Sequence, residues 1–450
     1  MQFFHLILKK YGFLFLLGLT FLIVHYSPQL LDRVQPDSSS YLNPSPFRQI
    51  LYNLLYVSLQ KINIDIIFFQ EFLMSLSIVC LFYFLKKKKI SKVLLVLFYL
   101  LLTLNFYYTS FSKTILTESI FFSLINFAFI LLFNLQNKYI LLTFGLICGM
   151  IVSLKPVGIV FTLIFFVFSF FFTQSCKKLI QIFILAILPL ILENIVFYNK
   201  FDERKNIVSF SVVGKLFLLS GKDSFDVRQY PEKYHKLLNL TKKKFEPIHS
   251  YLEKIDNVLL RFELLSDYEA VAQYRVLKYD VNNLDLDHKE ILRDKNYLFY
   301  QIIKNNFWDY LKLSLSHYIG NWSIGNKNNF LEKEKINIPN ISELINSSGP
   351  MNLPNKKLIM LAQIFFIALF IALVIHSLLV FKMAILRSEN LKREDLLLIL
   401  LIHIYLLAVS FSNISTPRYL MAIYPFLLII CINFFSLTKA MMNKNNRKDN

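Results

Sequence analysis

The sequence predicts an all-α polytopic membrane protein with about ten transmembrane helices and a mostly helical extracytoplasmic domain. Hydrophobic residues make up 55% of the chain and aromatic residues 16%, and the mean hydropathy of +0.49 is too high for an ordinary soluble protein. Apolar runs long enough to cross a bilayer recur along the chain. Lysine and arginine are also concentrated in alternate loops, which is typical of membrane proteins.

The predicted spans are apolar runs of roughly 15–24 residues, against the ~20 that a helix needs to cross the hydrocarbon layer. They lie at 11–26, 62–85, 90–109, 114–133, 139–153, 157–173, 179–197, 358–381, 396–411 and 419–437. The two shortest meet at Lys155 and Pro156, where proline bars a continuous helix, so they are two spans or one re-entrant pair. Gly145 and Gly149 predict close packing against a neighbouring helix.

Charge divides the chain into three regions. An N-terminal transmembrane module at 1–197 contains a first external loop at 27–61. It is followed by a polar segment at 198–355, and by C-terminal helices with a basic tail at 356–450. The polar segment holds 23 of the 49 basic residues and 20 of the 30 acidic ones, so its charge is nearly balanced. Most of the net charge of +19 therefore comes from membrane loops and tails, and it does not indicate nucleic-acid binding.

Of the basic residues outside the polar segment, 18 lie in the loops on one side of the membrane and eight lie in the loops on the other side. Because cytoplasmic loops are the basic ones, we expect both termini in the cytosol of a plasma (inner) membrane protein. The segment 198–355 is then extracytoplasmic. Its apolar residues recur at helical spacing, and residues 297–318 are amphipathic and rich in aromatic side chains that favour the membrane interface.

Several motifs of soluble enzymes are missing from the sequence. It has no glycine-rich phosphate loop, no Gly-x-Ser-x-Gly motif and no zinc-type cysteine spacing. His376 and His403 lie inside predicted spans without a second histidine or an acid at ligand spacing, so we expect buried, hydrogen-bonded imidazoles. The missing phosphate loop disfavours nucleotide-driven transport, and the missing Gly-x-Ser-x-Gly motif disfavours hydrolase chemistry.

Most ionisable residues of the membrane region that are outside its cytosolic loops are predicted at one depth, the outer edge of the bilayer. They are Asp37, Glu71, Glu118, Lys155, Glu193 and Arg418. Charged groups in a bilayer are costly unless they are paired or hydrated, so this clustering predicts a polar cavity open to the outside. The alternative is that each residue is an interfacial anchor in headgroup water.

Three of these residues have a specific alternative. Glu118 follows a threonine at a helix start and could serve only as a helix-capping charge. The position of Lys155 is equally compatible with binding a phosphate and with a snorkelling side chain, whose ammonium reaches the headgroup region. Arg418 has a planar guanidinium suited to phosphate oxygens, but it also fits an interface arginine beside a tyrosine belt.

Five sequence features occur in the order found in polytopic glycosyltransferases. Asp37, Ser38, Tyr41, Arg48 and Tyr52 lie in the first external loop. Further along are Thr117-Glu118-Ser119 at a helix start, a glycine-containing span ending at Lys155-Pro156, Asn305 to Leu311, and Arg418-Tyr419-Leu420 with Pro425. In this pattern the chain resembles the GT-C superfamily, especially bacterial relatives of protein O-mannosyltransferases and of aminoarabinose transferases.

The resemblance implies an inverting transfer of a sugar from a polyprenyl-phosphate-linked donor to an acceptor hydroxyl at the outer membrane face. Asp37 would be the general base, and Lys155, Arg418 and Arg48 would bind the donor phosphate. Glu118 would orient a substrate or help Asp37 to hold a divalent metal, a cofactor that the resemblance leaves open. Tyr41 would contact substrate. The implied partners are membrane lipid and a glycan, lipid or protein acceptor, with no nucleic acid.

The chain departs from the family pattern at Ser38, where relatives often carry a second acid beside the catalytic one. The extracytoplasmic segment also resembles no acceptor-binding module of the family. Two other functions are therefore kept as alternatives. One is an envelope polysaccharide polymerase or ligase, and the other is a non-enzymatic membrane transporter or partner protein.

Overall fold

The computed structural model describes residues 2–35, 37–46, 48–88, 90–202, 204, 208–256, 258–271, 294–322, 356–386, 392–413 and 417–445. The regular elements in these residues are all helices, and no strand occurs among them. The predicted all-α class is confirmed for this part of the chain. The segments 272–293 and 323–355, both in the predicted extracytoplasmic domain, lie outside the described residues.

Among the described residues, ten α-helices precede residue 199. They are α1 (Gln2–Tyr26), α2 (Ser38–Leu42), α3 (Leu51–Lys61), α4 (Ile66–Lys87), α5 (Lys92–Thr103), α6 (Phe106–Ser110), α7 (Glu118–Leu132), α8 (Lys138–Leu154), α9 (Gly158–Thr173) and α10 (Cys176–Tyr198). The later helices are α11 (Val208–Ser220), α12 (Glu232–Glu253), α13 (Val258–Val271), α14 (Lys295–Gly320), α15 (Lys356–Ile385), α16 (Arg393–Ser412) and α17 (Pro417–Asn445).

Within the described residues, five helices are long and apolar enough to cross a membrane, and the chain is therefore a helical membrane protein. These are α4, α10, the Met360–Ile385 part of α15, α16 and the Arg418–Phe435 part of α17. A pair bent by 47°, Lys92–Thr103 with Phe106–Lys113, would form a sixth span. The helices α7, α8 and α9 are apolar but have only 15, 17 and 16 residues. The total of about ten spans stays a prediction.

The helices form two compact units. The first unit contains Met1–Arg204, Ala368–Tyr405 and Met421–Asn450. The second contains Lys205–Ile367 and Leu406–Leu420. In the second unit, α11 to α14 surround a core of aromatic and aliphatic side chains, and one side of α14 contributes Leu298, Ile302, Tyr310 and Leu313 to it.

The predicted glycine contact and proline break are both present in the first unit. A Cβ on Gly149 would lie 2.2 Å from the carbonyl oxygen of Ala186, and one on Gly145 would lie 2.7 Å from Cβ of Leu185. Only glycine therefore allows α8 to approach α10 this closely. The helix α8 ends at Leu154 and α9 begins at Gly158, so the break at Pro156 leaves Lys155 in a turn between the two helices.

Candidate active site

Asp37 lies at the start of the short helix α2, and the residue that follows it fixes the loop in place. The Ser38 hydroxyl accepts a hydrogen bond from the Gln35 amide at 2.8 Å and donates one to the Ile115 carbonyl oxygen at 2.8 Å. Ser38 is completely buried. At the position where the family often carries a second acid, this chain therefore has a buried hydroxyl that attaches the first external loop to the segment before α7.

The Asp37 carboxylate forms an ion pair with Arg48. The Oδ1 atom of Asp37 lies 2.6 Å from Nη2 of Arg48, and the two side chains are 38% and 23% exposed. The same guanidinium donates to the Ser40 hydroxyl and the Tyr41 phenol, each at 3.2 Å, and lies 4.9 Å from the centre of the Tyr41 ring. These contacts restrain the Asp37 carboxylate and leave the pair partly open to solvent. The predicted role of Arg48 at the donor phosphate stays a prediction.

Glu118 and Lys155 form a second, much less accessible ion pair. The distance from Oε1 of Glu118 to Nζ of Lys155 is 2.7 Å, and the side chains are 1% and 12% exposed. Glu118 is the first residue of α7, and the Thr117 hydroxyl donates to its Oε2 at 3.3 Å. The lysine side chain is therefore directed at a carboxylate inside the protein. The sequence had suggested either phosphate binding or extension to the membrane interface for Lys155, and this ion pair is a third arrangement.

Tyr52 lies between the two ion pairs. Its ring contacts the Tyr41 ring edge to face, with centres 5.6 Å apart, and the Arg48 guanidinium lies over the Tyr41 ring. Burial raises the pKa of the Tyr52 phenol, and the nearby negative charge of Glu118 raises it further. Tyr52 therefore contacts the ring that lies beside the Asp37–Arg48 pair and is also near the Glu118 carboxylate.

Gln70 connects this arrangement to the membrane helices. Tyr52 donates a hydrogen bond to Oε1 of Gln70 at 2.8 Å, and Nε2 of Gln70 donates to the carbonyl oxygens of Ser112 at 3.1 Å and Thr114 at 2.8 Å. Gln70 is fully buried on α4. The sequence analysis missed this residue, although a glutamine inside an otherwise apolar span was the available signal.

The other predicted edge acids each contact a separate basic side chain. Glu71 contacts Nδ1 of His25 at 2.8 Å. Glu193 contacts Nη2 of Arg204 at 2.7 Å and accepts a hydrogen bond from the Ile50 amide at 3.0 Å, immediately before α3. Both carboxylates are buried and satisfied in this way, so they serve to hold helices together at this edge.

Arg418 belongs to the second unit, at the beginning of α17, and its guanidinium lies 5.6 Å from the Tyr419 ring centre. Its role at the donor phosphate stays a prediction.

A metal would find a poor set of ligands at this site. Among the described residues, no group of three or more His, Cys, Asp or Glu side chains could hold a metal ion. Asp37 and Glu118 each have a cationic partner instead. The chemistry below is therefore assigned to the side chains themselves.

His376 is buried as expected, but the expected hydrogen bond is wrong, since neither of its ring nitrogens has a hydrogen-bond partner among the described residues. Nε2 of His376 lies 3.6 Å from Oδ1 of Asp395, and Asn433 donates to the same oxygen at 2.7 Å. These residues come from α15, α16 and α17, so their positions in the chain could not show the contact. His403 contacts the Ser377 hydroxyl at 3.0 Å, as expected of a hydrogen-bonded histidine.

A further charged cluster lies in the core of the second unit. Oε2 of Glu269 contacts Nζ of Lys215 at 3.0 Å and also Nε2 of His317, and all three side chains are 0% exposed. Lys215 also donates to the Asn413 carbonyl oxygen at 3.2 Å. The sequence pattern had not indicated this cluster.

No protein-family model, no curated protein and no solved structure matches the chain. Its function is therefore inferred from the residues and their geometry.

Proposed function

We propose that this protein is an inverting glycosyltransferase of the GT-C type, with Asp37 as the general base. It would move a sugar from a polyprenyl-phosphate-linked donor to an acceptor hydroxyl at the outer face of the membrane. The observation that carries this proposal is the contrast in exposure between the two predicted acids. Asp37 is 38% exposed and held by Arg48, whereas Glu118 is 1% exposed and paired with Lys155.

A base must be reached by its substrate, and this requirement distinguishes the two acids. Asp37 is accessible, and its orientation is restrained by a guanidinium with three polar contacts. A hydroxyl is a poor nucleophile, so a positioned carboxylate that removes its proton accelerates attack by about 10²- to 10⁴-fold. In the proposed step the acceptor oxygen bonds to the anomeric carbon, its proton passes to Asp37, and the bond from that carbon to the phosphate oxygen breaks.

The leaving group is a lipid phosphate, whose negative charge grows as the bond breaks. Lys155, which keeps 12% of its side chain exposed and whose position Glu118 and the turn at Pro156 restrict, would stabilise this charge together with Arg48 beside Asp37. Glu118 would act as a positioning residue for Lys155. Tyr41 is only 5% exposed, with its ring and hydroxyl against Arg48, so in this proposal it would position Arg48, and its predicted contact with substrate stays a prediction.

The test is replacement of Asp37 by Asn, with Asp32→Asn as the matched control. Asp32 is an exposed carboxylate in the same loop. Cells carrying either variant would be compared for membrane insertion, for envelope glycan products and for polyprenyl-linked sugars by mass spectrometry. Asp37→Asn should insert normally, lose the product and accumulate unspent donor, whereas Asp32→Asn should behave as the unaltered protein.

An Asp37→Asn variant that made normal amounts of product would disprove the base assignment. Loss of product without any accumulation of a lipid-linked sugar, in cells with correctly inserted protein, would instead contradict the donor class.

A further inference from the structure

One side of α14 is exposed and combines aromatic with basic residues. Its exposed members are Tyr297, Tyr300, Lys304, Phe307, Trp308, Lys312 and Leu315. The backbone of α14 is non-helical at Asn306, which leaves a kink in its middle. On each side of the kink the exposed residues recur every three or four positions, so within each half they share one side, opposite the residues that enter the core. Trp308 is 70% exposed and Tyr300 is 61% exposed. We call this surface the α14 face.

The composition of the α14 face differs from that of a membrane-spanning surface. The exposed side of the span α10 is aliphatic, with Ile180 and Leu192 as examples. The α14 face instead carries tyrosine, tryptophan and lysine, which have an apolar body and a polar tip and which concentrate at the boundary between lipid and water. Its ionisable members are lysines, apart from the tyrosine phenols. Asp309 on the same helix is partly buried and paired with Lys222 at 2.8 Å.

Contacts within the second unit tie α14 to the end of a membrane span. The Tyr310 hydroxyl donates to the Phe411 carbonyl oxygen at 2.5 Å, and the Asn321 amide donates to the Ser410 hydroxyl at 3.3 Å. Phe411 and Ser410 belong to the last turn of α16, whose 20 residues span about 30 Å, the thickness of the hydrocarbon layer. The end of α16, and with it the part of α14 around Tyr310 that contacts it, would then lie near the membrane surface.

We propose that the α14 face lies in the headgroup region of the leaflet at which α16 ends. The tyrosine and tryptophan rings would insert at the boundary of the acyl chains, and Lys304 and Lys312 would bind the phosphates of anionic lipids. The bilayer that the chain spans supplies this partner, and anionic headgroups in it would complement the two lysines. This interaction surface is independent of the sugar-transfer chemistry proposed above.

Tryptophan fluorescence provides the test, because the chain contains only two tryptophans and Trp322 is buried. The full chain with Trp322→Phe, reconstituted in lipid nanodiscs, leaves Trp308 as the single fluorophore. Phospholipids brominated high on their acyl chains should quench most of its emission, and soluble acrylamide should quench little. A water-like emission spectrum that acrylamide quenches and brominated lipid does not would overturn the proposal, whether the face then binds glycan, protein or nothing.

If Trp322→Phe does not fold, the difference in quenching between the unaltered protein and Trp308→Phe gives the same quantity. The lysines are tested with Lys304→Gln and Lys312→Gln combined, in discs with and without an anionic phospholipid. Anionic lipid should increase quenching of Trp308 by brominated lipid in the Trp322→Phe protein, and this increase should disappear when both lysines are replaced. An equal increase in both proteins would refute the assignment of the lysines to anionic headgroups.

Discussion

The Asp37–Arg48 pair in the first unit and the Lys215–Glu269–His317 cluster in the second each join an acidic side chain to basic ones. The first is partly accessible to solvent, and the second is completely buried. The first pair is 38% and 23% exposed, whereas each side chain of the second cluster is 0% exposed. A substrate can reach the first and not the second. If the proposed function is right, accessibility rather than charge alone separates the catalytic carboxylate from the structural cluster.

The energetic consequences of the two arrangements also differ. An ion pair that remains hydrated contributes little to stability, because water already solvates its charges. Removal of one member of a fully buried set leaves the other charge without compensation and without water. The comparison thus predicts a large effect on stability for the buried cluster and a large effect on activity for the accessible pair.

The largest effect on stability is expected from Lys215→Met. The variant leaves the Glu269 carboxylate buried with only His317 beside it, so the second unit should lose about 3–5 kcal/mol of unfolding free energy. Faster amide hydrogen exchange in α11 and α13 of the full-length protein would measure this loss.

Lys222→Met is the matched control for this variant. Lys222 follows α11 and pairs with Asp309, and those side chains are 29% and 22% exposed, so its removal should cost only about 0–1 kcal/mol. Equal losses for the two lysine variants would mean that burial does not distinguish the two kinds of charge.

Acidification is expected to have a smaller effect on the stability of the second unit. Burial, together with the charge of Lys215, holds the pKa of His317 below its usual 6.5 despite the opposing Glu269. Burial raises the pKa of Glu269, but Lys215 and His317 outweigh it, so this pKa is also lowered. At both groups the unfolded chain therefore binds protons more readily than the folded one. Their contribution to the free energy of unfolding is full above about pH 7 and declines as the pH falls.

We expect the thermal stability of the second unit to decrease between about pH 7 and about pH 5, and His317→Gln to reduce that decrease. Glutamine can still donate a hydrogen bond to Glu269 but does not titrate. A pH profile that is unchanged by His317→Gln would show that another group controls acid sensitivity.

The smallest effect on stability is expected from Arg48→Lys, within about 1 kcal/mol of the unaltered protein. Lysine keeps the charge but cannot reproduce the planar contacts of Arg48 with Asp37, Ser40 and Tyr41. A displaced carboxylate should lower the transfer rate by about 10- to 100-fold. Transfer at the normal rate would show that Arg48 does not orient Asp37, and a large loss of stability would remove the contrast with Lys215.

The sequence identified the general character of the fold and several residues at the outer edge. Composition predicted a helical membrane protein, Pro156 predicted the break between α8 and α9, and the two glycines predicted the close approach of α8 to a neighbour. These features depend on local chemistry, which a sequence displays directly. The number of spans was harder to predict, because runs such as α7 are apolar but shorter than the membrane is thick.

The pairing of charges could not be predicted, because helical periodicity shows which residues share a helix face but not which helices meet. Glu118 and Lys155 are 37 residues apart, and Lys215 and Glu269 are 54 apart. Ser38 and Gln70 have ordinary residue types whose importance depends on the carbonyl groups beside them. The role of Arg48 beside Asp37 likewise depends on how the loop turns between them.

The central claim is that the accessible carboxylate of Asp37 performs the chemistry. It is tested most directly by the release of polyprenyl phosphate from a polyprenyl-phosphate sugar donor, measured in proteoliposomes that contain purified protein and a membrane extract as the source of acceptor. The account predicts that Asp37→Asn still binds the donor as tightly as the unaltered protein but releases polyprenyl phosphate about 10²- to 10⁴-fold more slowly. Release at the unaltered rate by Asp37→Asn, with Asp32→Asn equally active, would contradict it.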